Sequence, residues 1–140
     1  MHQQIKASPD TIAENIRTVI DALAGAGVSF ESISPDFEPP HVRVLVEHEF
    51  FDDAFNALAG LGATIVRSVE PVRLPDRAGA LKTAMDALEA EGHTVESILV
   101  LRRGSDTAVS FGVAGDVNGD WADEAASLME RIQKAVDNPQ

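Results

Sequence analysis

An internal repeat constrains this sequence more than any other feature. The segment DALAGAGVSFESI, residues 21–33, matches DALEAEGHTVESI, residues 86–98, at seven of thirteen positions with one constant offset of 65 residues. The same offset places Val44 on Val109, inside two runs that both alternate like strands. The repeat therefore extends beyond a single helix, and it indicates one small folding unit that is present twice.

Hydrophobic periodicity predicts the same order of elements in both halves. In the first half we predict strands over 2–6, 28–34, 41–49 and 63–69, with helices from Ser8-Pro9 to about Gly25 and over 51–61. In the second half we predict strands over 69–74, 94–102 and 107–113, with helices over 79–91 and from Trp121 onward.

This βαββαβ order predicts an α+β fold of two ferredoxin-like repeats with antiparallel sheets, over residues 1–68 and 69–140. After the final helix only KAVDNPQ remains, which is too short and too polar to predict the closing strand of the second repeat. Small open sheets have edges that need covering, so we also expect a homodimer.

Composition excludes several classes of partner. The net charge of −12 repels phosphate backbones and anionic lipids, so neither nucleic acid nor a membrane surface is expected as the main partner. There is no cysteine, which suits a cytoplasmic protein. No apolar run approaches the roughly 20 residues that span a bilayer, and MHQQIKASPD lacks the apolar core of a signal peptide.

Motifs of catalysis are missing from the sequence. It holds no nucleophile elbow, phosphate-binding loop, redox cysteine pair or convincing acid–base pair, so we expect no enzyme activity and no cofactor. Potential metal ligands occur close together at His48, Glu49, Asp52 and Asp53. Alternation along a strand would, however, point His48 and Glu49 to opposite faces. The two aspartates instead suit the start of a helix. We therefore predict no metal site.

The stretch LPDRAGALKTAMDALEAEGHTVESI, residues 74–98, resembles an ACT domain. That family has an aspartate, a variable residue, proline and glycine after its first strand, then alanine or leucine opening the helix, and later a glycine, an apolar residue and asparagine at the next strand. Asp76, Arg77, Gly79, Leu81 and Gly92 match this pattern. With the repeat, the whole chain resembles the small stand-alone proteins made of two ACT domains.

The resemblance implies a regulatory protein that binds an amino acid or another small metabolite at an interface between paired domains. Backbone N–H groups at the start of the helix suit a carboxylate, Asp76 suits an α-ammonium group, and Arg77 favours an anionic ligand. His93 follows Gly92 next to the proposed pocket. The candidate ligand-binding residues are Asp76, Arg77, Ala78, Gly79, Ala80, Leu81, His93 and Thr94.

Three departures from the pattern leave alternatives open. Ala78 stands where the family often has proline, and Thr94 stands where it often has asparagine. In the first repeat the equivalent residues 11–16 contain no glycine, so that repeat is expected to be a structural partner only. Asp76 and Gly79 would then merely cap and turn the helix, and the protein would be an interaction or dimerisation module without a pocket. An unrecognised enzyme or metal-handling domain is the third alternative.

Overall fold

Two antiparallel sheets, of four and three strands, and four helices form an α+β architecture in the described part of the chain. The computed structural model describes residues 2–8, 15–37, 40–103, 106–117 and 119–138. The chain divides into two compact units, residues 1–66 and 67–140. The predicted α+β class with two ferredoxin-like repeats is confirmed.

The first unit has the complete βαββαβ order. Its elements are β1 (His2–Ala7), α1 (Asn15–Gly25), β2 (Ser32–Phe37), β3 (Pro40–Glu47), α2 (Phe51–Leu58) and β4 (Thr64–Ile65). The strand order is β2-β3-β1-β4, with every neighbouring pair antiparallel. One face of β3 carries Val42, Val44 and Val46, which are fully buried against residues of α1 and α2.

The second unit repeats this order without a described closing strand. Its elements are β5 (Val72–Leu74), α3 (Ala80–Ala90), β6 (Val95–Arg103), β7 (Asp106–Val113) and α4 (Trp121–Asp137). The strand order is β5-β7-β6. Its core joins Val109 and Phe111 of β7 to Leu88 of α3 and to Leu128 and Ile132 of α4. Most of KAVDNPQ therefore belongs to α4, and no strand follows the helix among the described residues.

The ends of α1 and α3 show the repeat in three dimensions. Gly27 and Gly92 both have positive φ, 71° and 88°, as a left-handed helix cap requires. Each is followed by a residue whose N–H donates back into the helix, Val28 to Leu23 O at 3.0 Å and His93 to Leu88 O at 3.1 Å. The two copies thus end their first helices with the same hydrogen-bonded motif.

This motif corrects the prediction for β2, which begins at Ser32 and not at Val28. Val28 is used to close α1, so it is unable to start the strand. The prediction for β3 is also wrong at its end, because His48 and Glu49 lie in a short 3₁₀ turn where strand alternation does not apply. Asp52 and Asp53 do occupy the first turn of α2, as predicted.

The predicted strands over 63–69 and 69–74 are shorter in the structure. β4 holds only Thr64 and Ile65. Val69 does bond to β7, through its N–H to Phe111 O at 3.0 Å, but the pairing is interrupted before β5 resumes at Val72. Pro71 lies in the interruption and has no N–H to donate. None of the described helices has the length and apolar character that crossing a bilayer requires.

Candidate functional site

The turn between β5 and α3 has a conformation that depends on glycine. The Arg77 N–H donates to Pro75 O at 2.9 Å, and the chain then reaches Gly79 with φ 84°. In this left-handed region, the backbone conformation of a residue with a Cβ is about 1–2 kcal/mol less stable. The Thr83 N–H and hydroxyl both donate to Gly79 O, at 2.9 and 3.0 Å, which anchors the turn to the start of the helix.

The first turn of α3 presents donors that the helix does not use. Its first internal backbone bond comes from Thr83, so the N–H groups of Leu81 and Lys82 have no acceptor within the helix. Ala80 makes only a long bond, to Arg77 O at 3.4 Å. Asp76 is exposed and does not cap α3, because its carboxylate accepts no hydrogen bond from the helix start among the described residues. The helix start is therefore available to an anionic group.

A cavity of about 900 Å³ opens beside this helix start. Such a volume is typical of small-molecule sites. Five of the eight predicted residues line it, namely Asp76, Arg77, Gly79, Ala80 and Leu81. The remaining lining residues are Arg73, Leu74, Pro75, Lys82, Arg102, Asp106, Thr107 and Asp137.

Charges of both signs surround the cavity, and some of them neutralise each other. The Arg73 guanidinium lies 3.7 Å from Asp137, and Lys82 lies 2.6 Å from Asp86 in the next turn of α3. The hydrogen bond with Asp86 raises the pKa of Lys82 above its ordinary value. Arg77 donates to the backbone carbonyl of Val136 at 2.6 Å, so its charge meets no carboxylate there.

Three further lining residues keep their charges free among the described residues. The side chains of Arg102, Asp76 and Asp106 make no hydrogen bond or ion pair within that part of the chain. With Arg77 included, the cavity therefore offers two cations and two carboxylates. This arrangement is complementary to a zwitterion, which has charges of both signs on one small molecule.

The structure does not bring the other predicted site residues to this cavity. Ala78 is exposed in the turn but does not line the cavity. His93 and Thr94 follow the far end of α3, whose 11 residues span about 16 Å. Within one copy of the second unit, the turn and the His93–Thr94 pair are therefore separated by the length of the helix.

His93 lies instead against an aromatic cluster that the sequence did not reveal. Its ring meets Trp121 edge-on, with centroids 6.0 Å apart. The Arg67 guanidinium lies 4.1 Å from the centre of the Trp121 ring, within the range of a cation–π contact. The Trp121 indole N–H donates to Ser68 O at 3.0 Å. No local pattern links residues so far apart in sequence, so this cluster is visible only in the structure.

Among the described residues, the structure also gathers a group of potential metal ligands that no local sequence pattern indicates. His2 faces Glu47 across β1 and β3, and one ligand atom from each lies within 4.8 Å of the other and of a Glu31 oxygen. Strand register explains the meeting, because the start of β1 lies beside the end of β3. Carboxylates near a surface often gather without an ion, and we assign no metal to this group.

A bidentate ion pair joins α4 to the end of α3. The Arg131 Nε and Nη2 atoms donate to Glu91 at 3.0 and 2.7 Å. These bonds lower the pKa of Glu91 below its ordinary value of 4.5. A carboxyl whose folded pKa is depressed adds stability above its unfolded pKa, and loses that contribution as the pH falls through its folded pKa.

We expect Glu91→Gln to lower the thermal unfolding midpoint at pH 7 by about one or two degrees, because the pair is partly exposed. The difference from wild type should narrow as the pH falls below 4.5 and vanish once the pH is below the lowered folded-state pKa, since wild-type Glu91 is then protonated. Glu89→Gln, an exposed neighbour on α3, is the matched control and should leave the midpoint unchanged. A difference that does not vary with pH would contradict this assignment.

No protein-family model and no curated protein matches the chain. Several solved structures, in contrast, are similar to the chain. The regulatory subunit of aspartate kinase from Thermus thermophilus has a TM-score of 0.56 at 19% identity, covering 94% of this chain and 92% of that one. Its counterpart from Thermus flavus has a TM-score of 0.54 at 21% identity, covering 96% and 92%. A structure of aspartokinase alpha and beta subunits has a TM-score of 0.63 at 14% identity, covering 98% and 93%.

Two of these similar structures are regulatory subunits of an enzyme and not its catalytic part. At such low identity the likeness establishes the fold and leaves the ligand open. It spans both units of the chain and nearly the full length of the other proteins. The chain therefore has the tandem ACT-type fold of aspartate kinase regulatory domains, as its sequence resemblance predicted.

Proposed function

We propose that this chain is a non-enzymatic regulatory protein that binds a small ligand, an amino acid, in the cavity at the start of α3. The observation that supports this most is the coincidence of unused helix N–H groups with unpaired charges of both signs around one cavity. A ligand carboxylate would accept from the N–H groups of Leu81 and Lys82 and from Arg77. A ligand ammonium would meet Asp76 or Asp106.

The regulatory part of the proposal is supported by the fold. The similar structures include regulatory subunits, and the sequence at residues 11–16, the equivalent of 76–81 in the first repeat, has no glycine. Among the described residues we find no cluster arranged for acid–base or nucleophilic chemistry at the cavity. We propose a cytoplasmic homo-oligomer in which ligand binding changes how units or partners associate.

A second function is favoured by one specific observation. His93 and Thr94 lie about 16 Å from the turn within a unit, so the predicted site is not assembled in one place. A protein-interaction or dimerisation module with the same fold would need no assembled pocket. The two functions differ in whether a small molecule stabilises the protein.

We expect a thermal-shift screen of the purified full chain against the twenty amino acids to find stabilisation by one ligand class. A ligand at about 100 times its dissociation constant adds about 2.7 kcal/mol, which raises the midpoint of a chain of this size by about 5–10 °C. The D-enantiomer of each chiral hit is the control, because a shaped site with placed charges discriminates between mirror images. No shift with any amino acid, in a protein that melts cooperatively, would overturn the proposal and favour the interaction module.

A further inference from the structure

The outer edge of β5 is closed by a side chain. In the first unit β1 has β4 on its outer side, whereas no described strand lies outside β5. There the Arg73 N–H donates to the Gln133 side-chain oxygen at 2.9 Å, and the Gln133 side-chain N–H donates to Arg73 O at 2.9 Å. One carboxamide on α4 thus reproduces the two hydrogen bonds that a peptide of a fourth strand would make.

We call the two hydrogen bonds between Gln133 and Arg73 the clamp. Because of the sequence around β5, the clamp is sufficient to satisfy the N–H donor of this edge. Backbone groups two residues apart along a strand point to the same side, so Arg73 shares its edge with residues 71 and 75. Both are prolines, which have no N–H. Arg73 therefore provides the N–H donor of this edge, and Gln133 occupies it.

The C-terminal end of α4, where Gln133 lies, also contacts two arginines that line the cavity. Arg77 donates to Val136 O at 2.6 Å, and Arg73 lies 3.7 Å from Asp137. Carbonyls in the last turn of a helix have no partner within the helix, so Val136 O is free to accept from a side chain. We name residues 133–137 the α4 latch, since this segment contacts both the edge of β5 and the proposed ligand site.

We propose that an anionic ligand group in the cavity releases the α4 latch and uncovers the edge of β5. This inference rests on the proposed function, in which the cavity takes a carboxylate. A carboxylate is a stronger acceptor for a guanidinium than a neutral carbonyl is, so it competes with Val136 O for Arg77. It also competes with Asp137 for Arg73, as one carboxylate with another across a separation of 3.7 Å. Such coupling is reciprocal, so a loosened latch also raises affinity for the anion.

The first experiment needs no ligand. Amide hydrogen exchange at Arg73 is measured by NMR in the full chain, with amides of β7 as an internal reference. We expect Gln133→Ala to accelerate exchange at Arg73 about tenfold, because the clamp is removed. Arg77→Ala should accelerate it severalfold although Arg77 does not contact that amide. Arg102→Ala is the matched control: Arg102 lines the cavity, but among the described residues its side chain makes no hydrogen bond or ion pair with α4, so exchange should be unchanged.

Equal exchange at Arg73 in wild type and Arg77→Ala would overturn the latch, whatever the cavity binds. The same measurement is then repeated in 10 mM L-aspartate, which has two carboxylates and one ammonium, against sodium chloride of equal ionic strength. Faster exchange at Arg73 supports the latch. A raised unfolding midpoint with unchanged exchange overturns the latch and keeps the proposed function. If L-aspartate changes neither the exchange at Arg73 nor the unfolding midpoint, ligand-driven release is overturned. The amino-acid screen decides the proposed function separately.

Discussion

Replacing Phe111 by alanine is expected to lower the free energy of unfolding of the second unit by about 3–5 kcal/mol. The Phe111 side chain is fully buried on β7, in one cluster with Leu88 and Leu128. Small domains are stable by only about 5–15 kcal/mol, so this loss removes much of the total. Urea denaturation followed by tryptophan fluorescence measures it, because Trp121 is the one tryptophan and packs in the same core.

Val100→Ala is the matched control for this substitution. Val100 lies on β6, which pairs with β7, but its side chain is 48% exposed. Exposed substitutions of this kind change the unfolding free energy by about 0.5 kcal/mol or less. Similar losses in the two variants would contradict the assignment of one face of β7 to the core and of Val100 to the surface.

The core of each unit could be predicted because it depends on local periodicity. Alternate residues of β7 face one side by the geometry of a strand, and Leu128 and Ile132 are one helical turn apart on α4. The duplication then required the first unit to use its equivalent positions, as Val44 and Val46 do. Patterns of this kind survive because burial of apolar surface is the largest favourable term in folding.

The boundaries of strands were harder to predict because neighbouring elements compete for the same residues. Val28 suits a strand by propensity, yet it completes the cap of α1 by donating to Leu23 O. A glycine followed by an apolar residue after a helix does indicate such a cap, so the role of Val28 could be predicted from the sequence. The clamp between Gln133 and Arg73 could not be predicted, because a side-chain contact over 60 residues leaves no local pattern.

The candidate site was partly predictable for the same physical reason. Consecutive residues in a turn at the start of a helix must lie together, so Asp76 and Gly79 share the cavity. His93 and Thr94 come after the helix, and a rigid helix of 11 residues keeps its two ends apart. The resemblance to a family supplied both groups of residues, but it did not say that they would meet within one unit.

Two glycines of the second unit form a matched pair for testing the cavity. Gly79 and Gly92 have φ of 84° and 88°, and an added Cβ would meet no atom within 4 Å at either position. Aspartate in the left-handed region costs about 1 kcal/mol, so Gly79→Asp and Gly92→Asp should both lose stability without ligand. Gly92→Asp should lose the more, because its carboxylate lies at the C-terminal end of α3, whereas that of Gly79→Asp lies at the N-terminal end. The two positions differ in that only Gly79 lines the cavity.

The ligand response should therefore separate the two variants. In the presence of the amino acid that stabilises wild type most, the unfolding midpoint of Gly92→Asp should rise as much as that of wild type, by about 5–10 °C. Gly79→Asp should lose it, because the new carboxylate repels the carboxylate of the ligand and competes for the N–H groups at the start of α3. Thermal unfolding with and without the ligand measures both. An unchanged rise in Gly79→Asp would place the binding site away from this turn, whereas a loss in both variants would mean that the effect is one of general strain.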